Sequence, residues 1–165
     1  MNHNKNEKIT SGKNILFLYA EITPYFLGCI DSYSKSNPKN NILVIFNSVF
    51  KNLEIVLNKN VKLVPKNKFK KRTDFVKSIY HYKPSIILVS GRMDKDYLFI
   101  SKLLKKNIKI ISLQDTMYQR NVKQLIQSIF SKYLYMQYFD RFWGIGSMQT
   151  KFAKRIGFSS NDIYE

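Results

Sequence analysis

Short apolar segments alternate with longer amphipathic segments along this chain. The apolar runs are continuous rather than alternating in polarity, and several are rich in Ile and Val, which is typical of strands covered on both faces. They lie at residues 14–20, 41–47, 61–64, 85–90, 109–113 and 141–146. The pattern therefore predicts about six strands of a mainly parallel sheet.

The segments between the strands have helical spacing at residues 72–82, 94–106, 121–139 and 147–156. The longest repeats apolar residues at i, i+3, i+4 and i+7, which predicts one buried stripe. This stripe contains Val122, Leu125, Ile126, Ile129, Phe130, Tyr133 and Leu134. Asp94 is placed to cap the second of these helices.

The last helix has its own start and stop signals. Ser147 is a candidate N-cap and Gly157 a candidate stop, because Gly accepts the left-handed conformation that ends many helices. Met148, Phe152 and Ile156 are expected to face inward. Trp143, in the strand before it, is expected in the core rather than as a stacking platform.

Strands and helices in alternation predict an α/β fold, with a doubly wound, mainly parallel sheet and helices on both faces. We expect a polar N-terminal tail at 1–13 and a single Rossmann-like domain at 14–165. The 165 residues, 44% of them hydrophobic, suffice for one core. No segment reaches the roughly 18 apolar residues that a membrane span needs.

The chain carries 28 Lys and Arg against 11 Asp and Glu, a formal net charge of +17. A field of this strength favours polyanionic partners, which are nucleic acid, an anionic bilayer or a phosphate-bearing substrate. The alternative is a general lysine and asparagine bias of the sequence without a dedicated site. The single cysteine, Cys29, forms no intramolecular disulfide and fits a reducing cytoplasm.

The sequence does not contain the residues that several common functional sites require. The loop after the first strand, "AEITPYFLG", does not contain G-x-G-x-x-G, and the chain has no P-loop motif. His3 and His81 are the two histidines, too few for a histidine-based zinc site or a Ser-His-Asp triad. We predict no metal site.

Three stretches resemble a known enzyme family. "NILFLYAEITPYFLGCIDSYSK" is similar to the opening strand, loop and helix of sugar-nucleotide-dependent glycosyltransferases with the GT-B fold, particularly the retaining family-four type. "YKPSIILVSGRMDKDYLFISKLLKKNIKIISLQDT" resembles their fourth and fifth strands, and "YFDRFWGIGSMQTKFAKRIGFSSNDIY" their last N-domain strand and helix. The resemblance covers roughly residues 14 to 164.

The resemblance implies the N-terminal, acceptor-side domain of a two-domain enzyme, ending before the C-terminal donor domain. That domain would be the partner, and a glycan acceptor, as a polysaccharide or lipid-linked precursor, the substrate. A nucleotide-sugar donor is expected only for the complete enzyme, so this domain alone would bind no cofactor and be inactive. The expected location is the cytoplasm, with possible attachment to the inner face of the cell membrane.

Ligands of such sheets bind outside the carboxyl ends of the strands. The resemblance places Thr23, Pro24, Tyr25 and Gly28 on this cleft, although Pro24 and Gly28 could simply shape a turn. The loops at 91–94 and 114–118 complete the expected acceptor cleft, in which Arg92 would recognise an anion or point to solvent. Its further candidates are Asp94, with capping as the alternative role, and Asp115, Thr116 and Tyr118.

Two more groups complete the prediction. Gly144, Gly146 and Ser147 are expected to build a turn beside the interdomain cleft. The lysine-dense loop is either a solvated turn or a landing patch for anionic lipid, formed by Lys66, Lys68, Lys70, Lys71 and Arg72. The functional alternatives are a basic α/β domain that binds nucleic acid and an interaction domain without catalysis.

Overall fold

The computed structural model of the protein describes residues 12–51, 56–114 and 133–165. Its strands are β1 (Asn14–Ile22), β2 (Asn41–Val49), β3 (Val61–Pro65), β4 (Ile86–Ser90), β5 (Lys109–Gln114), β6 (Arg141–Gly144) and β7 (Ile163–Tyr164). They form one sheet in the order β3-β2-β1-β4-β5-β6-β7, and each neighbouring pair is parallel.

Helices connect the strands. They are α1 (Pro24–Ser36), α2 (Arg72–Tyr82), α3 (Lys95–Leu104) and α4 (Ser147–Arg155), with 3-10 turns at Lys66–Lys68 and Ser160–Asp162. Residues 133–136 are also helical. The predicted α/β, doubly wound, parallel architecture is confirmed, and β7 adds a two-residue edge strand that was not predicted.

The sheet separates two apolar cores because successive strand residues point to opposite faces. On one face, Phe26, Leu27 and Ile30 of α1 pack on Ile15 and Phe17 of β1 and on neighbouring strands. On the other face, α2, α3, α4 and the segment 133–139 pack together over β1, β2, β4, β5 and β6. Helices on both faces explain why the strands read as continuous apolar runs.

Local caps fix several helix ends as the sequence predicted. The Asp94 carboxylate accepts hydrogen bonds from the amides of Asp96 and Tyr97, which makes it the N-cap of α3. Gly157, with φ of 105°, ends α4, where the Gly157 amide donates to Lys154 and the Phe158 amide to Ala153. This hydrogen-bond pair is the Schellman motif.

The start of α4 differs from the prediction. Ser147 is its first residue rather than its N-cap, and the cap is Gly146, whose φ of 122° excludes most other residues. Gln149 and Ala153 of α4 and its C-cap Ile156 are buried, whereas Met148 and Phe152 are half-buried. Phe152 and Ile156 therefore face the core as predicted, since the Phe152 ring packs against Tyr135 and Phe142, while the most deeply buried positions within α4 are Gln149 and Ala153.

Two predictions about burial were wrong. Tyr133 and Leu134 are 81% and 45% exposed, and the segment instead buries Tyr135 and Phe139. Trp143 is 44% exposed. It lies on the same face of the sheet as α1, where the buried cluster formed by the described residues extends to Ile111 of β5 and includes no residue of β6. The rest of the predicted stripe, from Val122 to Phe130, lies outside the described residues.

No helix in the described ranges is long and apolar enough to cross a membrane.

Two glycines give opposite predictions for stability. A Cβ at Gly144 would lie 2.6 Å from the Gln149 Cβ, whereas a Cβ at Gly28, inside α1, would meet no atom within 4 Å. We expect Gly144→Ala to lower the free energy of unfolding by about 1–3 kcal/mol through overpacking. The control Gly28→Ala should raise it by about 0.5–1 kcal/mol, since Ala restricts the unfolded chain. Urea denaturation of both variants measures the difference, and equal stabilities would contradict the close packing of α4 on β6.

Candidate functional site

Parallel pairing brings the carboxyl ends of the strands to one edge of the sheet. We call this the carboxyl edge, and it is formed by residues 23–29, 47–51, 66–72, 91–96 and 145–147. Ligands of doubly wound sheets bind outside this edge. The lysine-dense loop follows β3, so the predicted acceptor cleft and the predicted landing patch share one edge.

A network of charged side chains occupies the edge beyond β2, β3 and β4. The Lys66 ammonium lies 2.5 Å from the Asp94 carboxylate and 3.0 Å from that of Asp96. The Arg72 Nε donates to Asp96 at 2.6 Å, and the Asn47 amide donates to Asp94 at 3.0 Å. Asp94 therefore caps α3 and at the same time holds the lysine-dense loop against the sheet.

The network changes the pKa values of its members. Burial by itself would raise the pKa of Asp94, but hydrogen bonds from Lys66, the Tyr97 amide and Asn47 lower it below its usual range. The pKa of Asp96 is lowered in the same way, against burial, by Lys66 and Arg72. The pKa of Lys66 is raised, because its bonds to both carboxylates outweigh the effect of burial. All three groups are charged at neutral pH.

Arg92 lies in the loop between β4 and α3, which also contains Asp94. It follows Gly91, whose φ of 67° turns the chain at the end of β4. Its guanidinium carbon lies 4.1 Å from the centroid of the Tyr135 ring. The Tyr135 hydroxyl accepts a hydrogen bond from the Gln114 amide at 2.8 Å. Burial raises the pKa of Tyr135, and the neighbouring Arg92 and Gln114 oppose that shift.

The loop after β1 begins α1. The Thr23 hydroxyl accepts from the Phe26 amide at 3.2 Å and caps the helix, and Pro24 is its first residue. Tyr25 is exposed, and a hydrogen bond with Cys29 raises its pKa. Gly28 lies inside the helix rather than in a turn.

The lysine-dense loop divides into paired and free cations. Lys66 and Arg72 are engaged by Asp94 and Asp96. Lys68, Lys70 and Lys71 are exposed. In the described part of the chain, these three lysines form no ion pair with a carboxylate.

The structure thus brings together part of the predicted cleft. Arg92 and Asp94 share a loop but lie near different strands. Asp94 binds Asn47 near the end of β2, whereas Arg92 approaches Tyr135, which binds Gln114 at the end of β5. Gly144 and Gly146 flank the end of β6 next to Gln114, which pairs in register with Gly144. Asp115, Thr116 and Tyr118 lie outside the described residues.

Sequence reasoning missed two partners. Tyr135 was not among the residues of the predicted buried stripe, and nothing in the sequence linked it to Arg92, 43 positions earlier. Lys66 was assigned to a surface patch, whereas it pairs with Asp94. Among residues 12–51, 56–114 and 133–165, no group of three or more His, Cys, Asp or Glu side chains could hold a metal ion.

The fold matches solved structures that contain UDP-GlcNAc or UDP. One is the UDP-GlcNAc 2-epimerase of Neisseria meningitidis bound to UDP-GlcNAc, with a TM-score of 0.56 and 10% identity. Another is S. aureus MnaA in complex with UDP, with a TM-score of 0.55 and 13% identity. The match covers 92% of this chain in each case, and 45% and 44% of the two structures.

At this identity the matches show a shared fold, and the chain spans less than half the length of these structures. No protein-family model and no curated protein sequence matches the chain.

The network around Asp94 predicts a pH dependence of stability. Because the folded-state pKa values of Asp94 and Asp96 are lowered, the network stabilises the fold above the unfolded carboxyl pKa of about 3.9 and loses this contribution as the pH falls through the lower folded values. Lys66→Met should reduce the free energy of unfolding at pH 7 by about 1–3 kcal/mol, since it leaves a half-buried carboxylate without its cation. The decrease in the free energy of unfolding between pH 5 and pH 2 should be smaller in this variant than in the unmodified chain.

The control is the exposed pair Lys35 and Asp31 on α1. Lys35→Met should cost no more than about 0.5 kcal/mol, as is usual for surface pairs. Denaturation with urea from pH 2 to pH 7 gives both curves. If the free energy of unfolding decreased equally at low pH for Lys66→Met and the unmodified chain, the network would not determine the pH dependence.

Proposed function

We propose that this chain forms one half of a two-domain, GT-B-like enzyme that acts on a sugar nucleotide. The observation that supports this most is the match of nearly the whole chain to less than half of two enzymes solved with UDP-GlcNAc or UDP. A second domain of the same architecture would face the carboxyl edge and close a cleft between the two.

The chemistry of the carboxyl edge supports the same proposal. It combines Arg92 and three exposed lysines, which suit phosphate groups, with the hydroxyl groups of the exposed residues Tyr25 and Ser147, which can bind a sugar. Its exposed apolar side chains include Tyr25, Phe50, Met93 and Ile145. Exposed apolar residues beside polar groups are typical of a ligand cleft or a domain interface.

More specifically, we propose that the chain is the acceptor-side domain of a retaining, family-four-type glycosyltransferase. Its substrate would be a polysaccharide or lipid-linked glycan precursor. The nucleotide-sugar donor would be held mainly by a C-terminal partner domain, so this chain alone would be inactive and bind the donor only weakly.

The solved neighbours favour a second candidate, one half of a sugar-nucleotide epimerase, because one of them is a UDP-GlcNAc 2-epimerase. The two candidates differ in one requirement. A transferase releases UDP only when an acceptor is present, whereas an epimerase changes the configuration of the sugar without an acceptor.

A location at the inner face of the cell membrane belongs to this proposal. Lys68, Lys70 and Lys71 would hold the domain on anionic lipid and bring the carboxyl edge close to a lipid-linked acceptor. Lys66 and Arg72 would contribute less than the sequence suggested, because Asp94 and Asp96 neutralise them.

Ligand binding by the chain tests the main proposal. If this chain supplies one side of the cleft, as proposed, UDP-GlcNAc and UDP should bind to it with a dissociation constant of roughly 1 mM, a binding free energy of about −4 kcal/mol. A single-stranded oligonucleotide should bind no more tightly at physiological salt. Calorimetry or NMR titration measures both.

Micromolar affinity for UDP-GlcNAc would show that this chain carries the donor site by itself. Much tighter binding of the oligonucleotide would favour the nucleic-acid alternative.

Vesicle sedimentation tests the membrane proposal. The triple variant Lys68→Gln, Lys70→Gln, Lys71→Gln should lower partitioning onto anionic vesicles on the order of a hundredfold, since each lysine contributes roughly 1 kcal/mol near such a surface. The matched control changes Lys102, Lys106 and Lys109 to Gln, exposed lysines at the opposite edge of the sheet. Equal losses for both triple variants, or equal pelleting of the unmodified chain with neutral vesicles, would rule out a specific patch.

A further inference from the structure

Arg92 is a half-buried arginine supported by an aromatic ring at the carboxyl edge. From this geometry we infer that Tyr135 positions the Arg92 guanidinium to bind the diphosphate group of a ligand beyond β4 and β5. The inference rests on the sugar-nucleotide function proposed above and adds to it one anion-binding residue and the residue that holds it in place.

The geometry suits a positioning role. The guanidinium carbon lies 4.1 Å from the centroid of the Tyr135 ring, within the range of a cation–π contact. Arg92 also donates a hydrogen bond to the Tyr135 hydroxyl, and a guanidinium carries five N–H donors in all. The contact therefore restrains the side chain and leaves donors available for a ligand.

Tyr135 is itself a fixed support. It is 2% exposed, and its ring centroid lies 5.8 Å from that of Phe139, 6.3 Å from Phe152 and 6.4 Å from Phe158. Its hydroxyl is held by the Gln114 amide at 2.8 Å. A ring packed on several sides and hydrogen-bonded at its tip cannot follow a mobile arginine, so it determines where the guanidinium lies.

The charge of Arg92 is not neutralised by the described part of the protein. In residues 12–51, 56–114 and 133–165 no carboxylate forms an ion pair with it, whereas Lys66 and Arg72 at the same edge are each paired with an aspartate. Arg72 also lies over a ring, 5.1 Å from the centroid of Phe99, but its Nε is taken by Asp96. Of these two ring-supported arginines at the carboxyl edge, Arg92 is the one that forms no ion pair with a described carboxylate.

A diphosphate is the ligand group that fits this arrangement best. The edge donors of a guanidinium match two phosphate oxygens in a bidentate contact. An arginine that is already restrained loses less conformational entropy on binding, which favours affinity. Tyr135 is therefore a positioning residue that acts through Arg92 rather than by touching the ligand.

The test is a titration of the full chain with inorganic pyrophosphate, followed by the NMR signal of the Arg92 side-chain Nε–H. We expect this signal to move on addition of pyrophosphate. Arg92→Ala and Tyr135→Leu should each weaken pyrophosphate binding about tenfold, the size of a partly desolvated cation–π contact. Tyr135→Phe keeps the ring and should bind within about threefold of the unmodified chain.

The matched control is the pair Arg141 and Tyr164, in which the guanidinium carbon lies 5.4 Å from the ring centroid. Arg141 begins β6 and so lies at the opposite edge of the sheet. Tyr164→Leu should leave pyrophosphate binding unchanged.

An Arg92 signal that does not respond to pyrophosphate, or a folded Tyr135→Leu variant with unchanged affinity, would overturn the inference. If Tyr135→Leu does not fold, Arg92→Lys decides together with Tyr135→Phe. Lysine lacks the planar guanidinium and its paired N–H donors, so Arg92→Lys should weaken pyrophosphate binding about tenfold. Equal binding would also overturn the inference.

The same titration with UDP separates this inference from the proposed function. UDP that binds no more tightly than pyrophosphate would count against a sugar-nucleotide site, because the uridine would not be recognised. A loss of pyrophosphate binding in Tyr135→Leu would still support the role of Tyr135 in that case.

Discussion

Parallel strand pairing is the constraint on which the rest of this structure depends. Parallel strands need crossover connections and cover on both faces of the sheet, so helices must pack on each side. Here α1 covers one face, and α2, α3 and α4 pack on the other. The same pairing places the carboxyl ends of the strands along one edge, where the charged and polar loops collect.

At that edge, one carboxylate connects local and distant parts of the chain. Asp94 caps α3 through two backbone amides and also binds Lys66, 28 residues earlier. Lys66 in turn lies 5.0 Å from the centroid of the Tyr97 ring, whose hydroxyl donates to the Ile45 carbonyl in β2. The lysine-dense loop is thereby attached to the buried sheet, and its remaining lysines are presented beside the cleft rather than on a separate surface.

The position of α1 bears on the exposure of Trp143 in β6. Its buried side chains cover β1 and its neighbours β2 and β4, whereas β6 lies three strands away in the sheet order. Trp143 therefore remains partly exposed, although Phe142, the preceding residue on the opposite face, is completely buried. A tryptophan in an apolar strand predicts burial only when both faces of that strand are covered.

The sequence by itself determined the fold class, the strands β1 to β6, the helices α2 to α4, and the caps at Asp94 and Gly157, because these depend on periodicity and on contacts between residues close in the chain. Only the tertiary structure decided that Lys66 pairs with Asp94, that Tyr135 supports Arg92, and that Trp143 is exposed. These contacts join residues 28 and 43 positions apart or depend on which helix covers which strand. Periodicity shows that a helix has a buried face, but the packing of its neighbours decides which side chains occupy that face.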